Sequence, residues 1–250
     1  MALVGLLVAA CGSGSASTSA TSTQPVATAN SPVVLGLGNS VPSGTACSCV
    51  NFVSAYAAMA DAATNTKATV VNDAVAGSTS ADVVNLLGKS SVQAEVRRAT
   101  TVLIMTGAND FNDAFDEVSL GASTADTYTP VAAAVQENVS TIVQRVHGLS
   151  ARAHIVVLDY WAAMEDGAVA AKDYDKPTMA AAISSTTYVN DALALAAKAT
   201  GAIYVSTFTA FKGPAGTNDD TALLASDGDH PNAAGHQLIA KTIDAVLPAP

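Results

Sequence analysis

Three residues of this chain, Ser40, Asp227 and His230, are of the types that activate a serine nucleophile. A serine hydroxyl is weakly nucleophilic at neutral pH and needs a base within hydrogen-bond reach, held in turn by a third group. In Asp227-Gly228-Asp229-His230 the first acid precedes the histidine by three. That spacing lets a carboxylate meet the imidazole Nδ1–H within one turn and leaves Nε2 to face the serine. Asp229 is the rival acid, but as the chain neighbour of His230 it is expected to point away from the ring, so Asp227 takes the role. Attack on an ester creates an oxyanion that preorganised donors must meet. The candidates are the backbone N–H groups of Ser40 and Gly77 and the side-chain amide of Asn109; Gly77, without a Cβ, lets substrate approach the backbone. Singly, each residue has a plainer use: a helix cap, a turn glycine, an N-cap, a loop histidine. Their conjunction points to catalysis.

The elements that would hold these residues follow from apolar periodicity. Continuous apolar, β-branched runs at 33–38, 68–75, 100–107, 153–160 and 202–207 read as strands covered on both faces. Alanine-rich stretches at 47–63, 80–98, 129–149, 177–199 and 232–246 carry apolar residues three and four apart and read as helices. The alternation predicts an α/β chain with a mostly parallel five-stranded sheet between helices. In such sheets the site forms outside the carboxyl ends of the strands. Ser40 follows the first strand, Gly77 the second and Asn109 the third; Tyr160 and Trp161 follow the fourth, and Asp227 and His230 lie beyond the fifth, before the last helix. Trp161, the only tryptophan, suits either the core or the wall of a substrate pocket.

Gly38-Asn39-Ser40, Gly77, Gly107-Ala108-Asn109-Asp110 and Asp227-Gly228-Asp229-His230-Pro231, in this order, resemble the four spaced blocks of the SGNH (GDSL) hydrolases. The resemblance runs from about Val33 to His236. It implies a three-layer α/β/α flavodoxin-like sandwich, with Ser40, Gly77, Asn109 and His230 as the family's four residues, and an esterase working through an acyl-enzyme on Ser40. Family members cleave lipids, simple esters and acetylated glycans, and no residue here chooses among them. One departure is Asn39, where the family usually has Asp; an amide keeps an acceptor oxygen but loses the charge. A catalytically silent fold of this type, binding an envelope glycan or lipid, is the alternative. The nucleophile elbow Gly-x-Ser-x-Gly of other serine hydrolases is not met at Ser40, because Pro42 stands where its last glycine would be.

The chain has 250 residues, half of them hydrophobic, enough for one sizeable core. Its net charge is -10, with 11 Lys and Arg scattered singly, so no basic stripe exists to neutralise phosphates and nucleic acid is excluded as an expected partner. The acidic balance favours neutral or cationic ligands. Residues 1–10 read as a signal peptide, and Val8-Ala9-Ala10-Cys11 resembles a bacterial lipobox in which Cys11 is lipidated. An ordinary signal peptide cut elsewhere is the other reading; both imply export, either to the outer face of the cell membrane on a lipid anchor or into the medium. Residues 11–31, rich in Ser, Thr, Ala and Gly, read as a flexible tether, and 32–250 as the hydrolase domain, expected as a monomer with no membrane contact beyond the lipid. Cys47 and Cys49 are the remaining cysteines; in an exported protein they are expected to bond to each other, although so small a ring leaves reduced thiols open. No metal site and no cofactor are expected. His147, His154 and His236 are assigned to structure.

Overall fold

The structure is a computed structural model that describes residues 31–64 and 66–247, together with Ala2. The lipidation expected at Cys11 lies outside the described residues. From Ser31 onward the chain forms one compact unit. Its strands are β1 (Val33–Gly38), β2 (Thr69–Asn72), β3 (Thr101–Met105), β4 (His154–Leu158) and β5 (Ile203–Val205). They form one sheet in the order β2-β1-β3-β4-β5, and every pairing is parallel. The expected mostly parallel sheet is thus parallel throughout, in the flavodoxin-like order.

Ten α-helices are described: α1 (Ser40–Ser43), α2 (Phe52–Thr64), α3 (Ser80–Leu86), α4 (Ser90–Arg98), α5 (Asn112–Ser119), α6 (Tyr128–Leu149), α7 (Gly167–Asp173), α8 (Lys176–Thr200), α9 (Thr207–Lys212) and α10 (Ala233–Val246). The connections put α2 on one face and α3, α6 and α8 on the other, while α10 returns to pack beside α2. The central strands are buried between these layers. Leu35, Leu37, Val102 to Met105 and Val156 to Leu158 are all 0% exposed. Each such side chain contributes about 1.5–3 kcal/mol relative to leaving it in water.

Several boundaries differ from the sequence reading. The helix expected over 47–63 begins only at Phe52, because residues 44–51 form a loop in which Cys47 and Cys49 are joined by a disulfide. The helix expected over 80–98 is two, parted at Leu87–Lys89. The first starts at a capping box, in which Thr79 and Asp82 satisfy each other's backbone N–H. The strands expected over 68–75 and 202–207 shrink to four and three residues at the sheet's two edges. Helices α1, α5, α7 and α9 were not expected, each being too short to show an apolar period.

The glycines of "VVLGLG" have separate reasons. A Cβ on Gly36 would come within 2.8 Å of Val53 Cγ2, so its absence lets α2 seat on β1. Gly38 has a φ of 140°, and a Cβ there would lie 1.9 Å from the Met105 carbonyl oxygen. Only glycine lets β1 leave the sheet here and turn directly into Asn39 and Ser40.

Candidate active site

β1 and β3 end side by side, with Gly38 opposite Met105, and the Asn39 N–H extends the ladder by donating to the Met105 carbonyl at 3.1 Å. This is the point where the strand order reverses, the usual crevice of an open α/β sheet. Asn39 is 1% exposed. Its Oδ1 caps α1 by accepting from the Val41 N–H at 3.3 Å, and its Nδ2 donates to the Tyr160 hydroxyl at 2.9 Å. Ser40 is therefore the first residue of a helix, where backbone N–H groups have no intrahelical partner. Asn39 ties the turn that carries Ser40 to the end of β4. Burial pushes the Tyr160 phenol well above its ordinary range, so it stays protonated.

The other half of the site is built around one carboxylate. Asp227 Oδ1 accepts the backbone N–H groups of Asp229 (3.1 Å) and His230 (3.0 Å), and Oδ2 lies 2.9 Å from His230 Nδ1. The same side chain thus shapes the turn and holds the imidazole. Burial works to raise the Asp227 carboxyl, but the hydrogen bonds from His230 and from the Asp229 N–H outweigh it and hold it below the ordinary carboxylate value. With Nδ1–H donated to Asp227, Nε2 carries the free lone pair; it is buried and has no hydrogen-bond partner. The loop is secured at both ends. The Ala225 N–H donates to the His230 carbonyl at 2.7 Å, and Asn232 caps α10 through the Ala234 and Gly235 N–H groups. Asp229 departs from expectation: its Oδ2 lies 3.5 Å from His230 Nδ1 rather than pointing away, because the tight turn folds both carboxylates toward the ring.

Asn109 follows β3 and donates its Nδ2 to the Ser78 carbonyl at 2.9 Å, which links it to the loop that carries Gly77. That loop is further tied by Asp110, which accepts from the Ser80 N–H at 2.8 Å and the Ser80 hydroxyl at 2.6 Å. Ser40, Asn109, Asp227 and His230 all line one cavity of about 570 Å³. Ser40 and His230 both line this cavity, and no hydrogen bond joins the serine hydroxyl to His230 Nε2. Gly77 is exposed in its loop and is not among the residues lining the cavity, although its neighbour Ser78 holds Asn109.

Trp161 is a core residue that also touches the cavity. It is 1% exposed, stacks on Phe211 with ring centroids 4.4 Å apart, and also lines the cavity. Phe115, Asp116, Met164, Glu165 and Tyr174 line the same cavity and were not singled out from the sequence. They come from α5 and from the excursion between β4 and α8, which carry no motif. His236 is structural, as expected: 0% exposed, it accepts the Phe52 N–H at Nδ1 (3.2 Å). Cys47, Cys49 and His236 lie close enough to suggest a metal site, but the two sulfurs are bonded to each other and the histidine acceptor is taken.

A model of the GDSL-like lipase/acylhydrolase family matches residues 37–238. No curated protein matches the chain as a relative. Among solved structures, the lipase Lip_vut3 from a goat rumen metagenome superposes with a TM-score of 0.72 at 16% identity, covering 86% of this chain and 97% of that one. Phospholipase A1 from Streptomyces albidoflavus NA297 gives 0.63 at 20% identity, covering 87% and 100%. An acetylxylan esterase from Geobacillus stearothermophilus gives 0.61 at 18% identity, covering 88% and 95%. At these identities the likeness extends to the fold.

Proposed function

This chain belongs to the GDSL-like lipase/acylhydrolase family, and from that premise we propose that it is a serine esterase whose nucleophile is Ser40. The observation that carries the reading is the Asp227–His230 pair, its Nε2 left without a hydrogen-bond partner, in a histidine that lines the same cavity as Ser40. In the proposed reaction His230 Nε2 takes the Ser40 proton as Oγ attacks the ester carbonyl, while Asp227 keeps Nδ1–H aligned and steadies the imidazolium. The Ser40 N–H, the Asn109 amide and the Gly77 N–H are the donors proposed to meet the oxyanion. Collapse expels the alcohol with the proton held by His230, and water, activated by the same base, releases the acid and restores Ser40. The substrate is a carboxylic ester with a lipid, small acyl or acetylated glycan portion; the lipase, phospholipase and acetylxylan esterase folds named above support that range.

The test is labelling of the protein with a fluorophosphonate and hydrolysis of p-nitrophenyl esters of graded chain length. Label at Ser40, and loss of nearly all turnover in Ser40→Ala, in His230→Ala and no further in the double variant, is expected, because such residues act as a unit. A folded protein that neither labels nor hydrolyses any ester would instead be a binding module of this fold. Export on a lipid anchor at Cys11 is part of the proposal. Mass spectrometry of the native N-terminus checks it, and an unmodified terminus beyond Cys11 would refute it.

A further inference from the structure

The catalytic cavity is acidic beyond what hydrolysis needs. Besides Asp227, its wall carries Asp116, Glu165 and Asp229, and no Lys or Arg is among its lining residues. Among the described residues no ion pair with Lys or Arg compensates these four. Lys212 is bound to Asp166 and Asp220 and lines a separate cavity of about 200 Å³. The carboxylates crowd one another: burial, then Asp173, Asp229 and Asp227, push Glu165 up, and burial and Asp227 push Asp229 up against the pull of His230. Such a wall opposes a reaction that develops negative charge on the substrate. It becomes favourable when the substrate brings a positive charge of its own. Aromatic faces adjoin the carboxylates. Phe115 and Tyr174, with ring centroids 6.1 Å apart, line the cavity with Trp161 and Tyr160. Aromatic rings beside carboxylates are the surroundings that hold an alkylated ammonium, through the ring quadrupole and Coulomb attraction together.

We propose that this cavity selects esters of ammonium-bearing alcohols, the cation resting against the paired Phe115 and Tyr174 rings and near the Glu165 and Asp229 carboxylates while the ester carbonyl faces Ser40. The inference rests on the esterase reading and names the substrate class of that same site. It also accounts for four acids where the chemistry employs one.

The experiment compares acetylcholine with 3,3-dimethylbutyl acetate, its uncharged isostere, and with an anionic ester, p-nitrophenyl hemisuccinate, on the unaltered protein. The expected kcat/KM is about tenfold or more higher for the cationic ester than for the isostere at low ionic strength, carried mainly by KM. The ratio narrows as salt screens the wall. The anionic ester is a poorer substrate than p-nitrophenyl acetate, which shares its leaving group, and Glu165→Gln shrinks the cation-to-isostere ratio about threefold or more. Equal rates for acetylcholine and its isostere, or a ratio indifferent to salt and to Glu165→Gln, overturn the cation site while leaving an esterase. Failure to hydrolyse any of the three, or the p-nitrophenyl esters, overturns the esterase reading and this inference with it.

Discussion

Acidification should weaken this fold through His236, and the size of the effect can be worked from its surroundings. The ring is 0% exposed, stacks on Phe52 with centroids 6.2 Å apart, accepts the Phe52 N–H at Nδ1 and has no hydrogen-bond partner at Nε2. Burial, and after it the nearby His230, lower its pKa from the ordinary 6.5 to about 4. Between those two values the unfolded chain binds a proton that the folded chain does not, so stability falls as pH falls through this window. At about 1.4 kcal/mol for each pH unit, the gap amounts to about 3 kcal/mol lost between pH 7 and pH 4. Other groups act in the opposite sense. Asp73, raised to about 6 by burial and the neighbouring Glu95, and Asp110, Asp159 and Asp220, raised chiefly by burial, each favour the fold as they take up protons. The whole stability curve therefore mixes signs, and the informative quantity is a difference. Urea unfolding of the parent and of His236→Gln, which retains an acceptor for the Phe52 N–H, should be measured at pH 7, 6, 5 and 4. The parent's margin over the variant should shrink by about 3 kcal/mol across the series. Parallel curves for the two proteins would refute the argument, because they would mean that His236 takes up its proton equally in both states.

The two acids beside His230 should separate kinetically. Asp227→Ala should lower kcat by about 10²–10⁴, while Asp229→Ala, at the longer distance, stays within about tenfold; reversal of that order in steady-state assays would reassign the orienting role. Asn109→Ala should lower kcat by about 10²–10³ with little change in KM, since its amide is asked to meet charge that exists only in the transition state; a change confined to KM would make it a ground-state binder. Asn39→Asp should remain active within about tenfold, because the Tyr160 hydroxyl, which now accepts from Asn39, can turn and donate to a carboxylate; collapse of activity with the fold intact by circular dichroism would show that the amide hydrogen itself is needed. Gly38→Ala should fail to fold, or lose more than about 3 kcal/mol in urea titration, since its Cβ would meet the Met105 carbonyl at 1.9 Å; a midpoint near the parent's would contradict the turn described here.

Much of this architecture was legible because it depends on local pattern. β1, β3 and β4 announce themselves as unbroken apolar runs, since both of their faces are covered, and the strand ends then gather Ser40, Asn109 and His230 on one edge of the sheet. The Asp227–His230 hydrogen bond was legible for the same reason, being made within one turn. What was not legible depends on contacts distant in sequence. Nothing in "GLGNS" says that Asn39 reaches Tyr160, a bond that exists only once β1 and β4 flank β3. The cavity wall from Phe115, Glu165 and Tyr174 arises from short helices and a loop without period or motif. Asp229 was misjudged because adjacency in the chain was taken to decide direction, whereas the turn closed by Asp227 bends both carboxylates inward.

The division of the site between the two ends of the chain also bears on how turnover should appear in time. Asp227 and His230 meet through a loop a few residues long, and that contact needs little else of the molecule. Ser40 directly follows the first strand of the sheet, which enters between β2 and β3, while the loop bearing His230 leads into α10, and α10 packs against α2, the helix that follows α1 and the 44–51 loop. Joining the proposed nucleophile Ser40 to His230 thus requires a contact of very long sequence separation, the kind that forms late in folding. Recovery of hydrolysis after dilution from urea should lag the recovery of helical signal, so that the reaction serves as a clock for the closing of chain start on chain end.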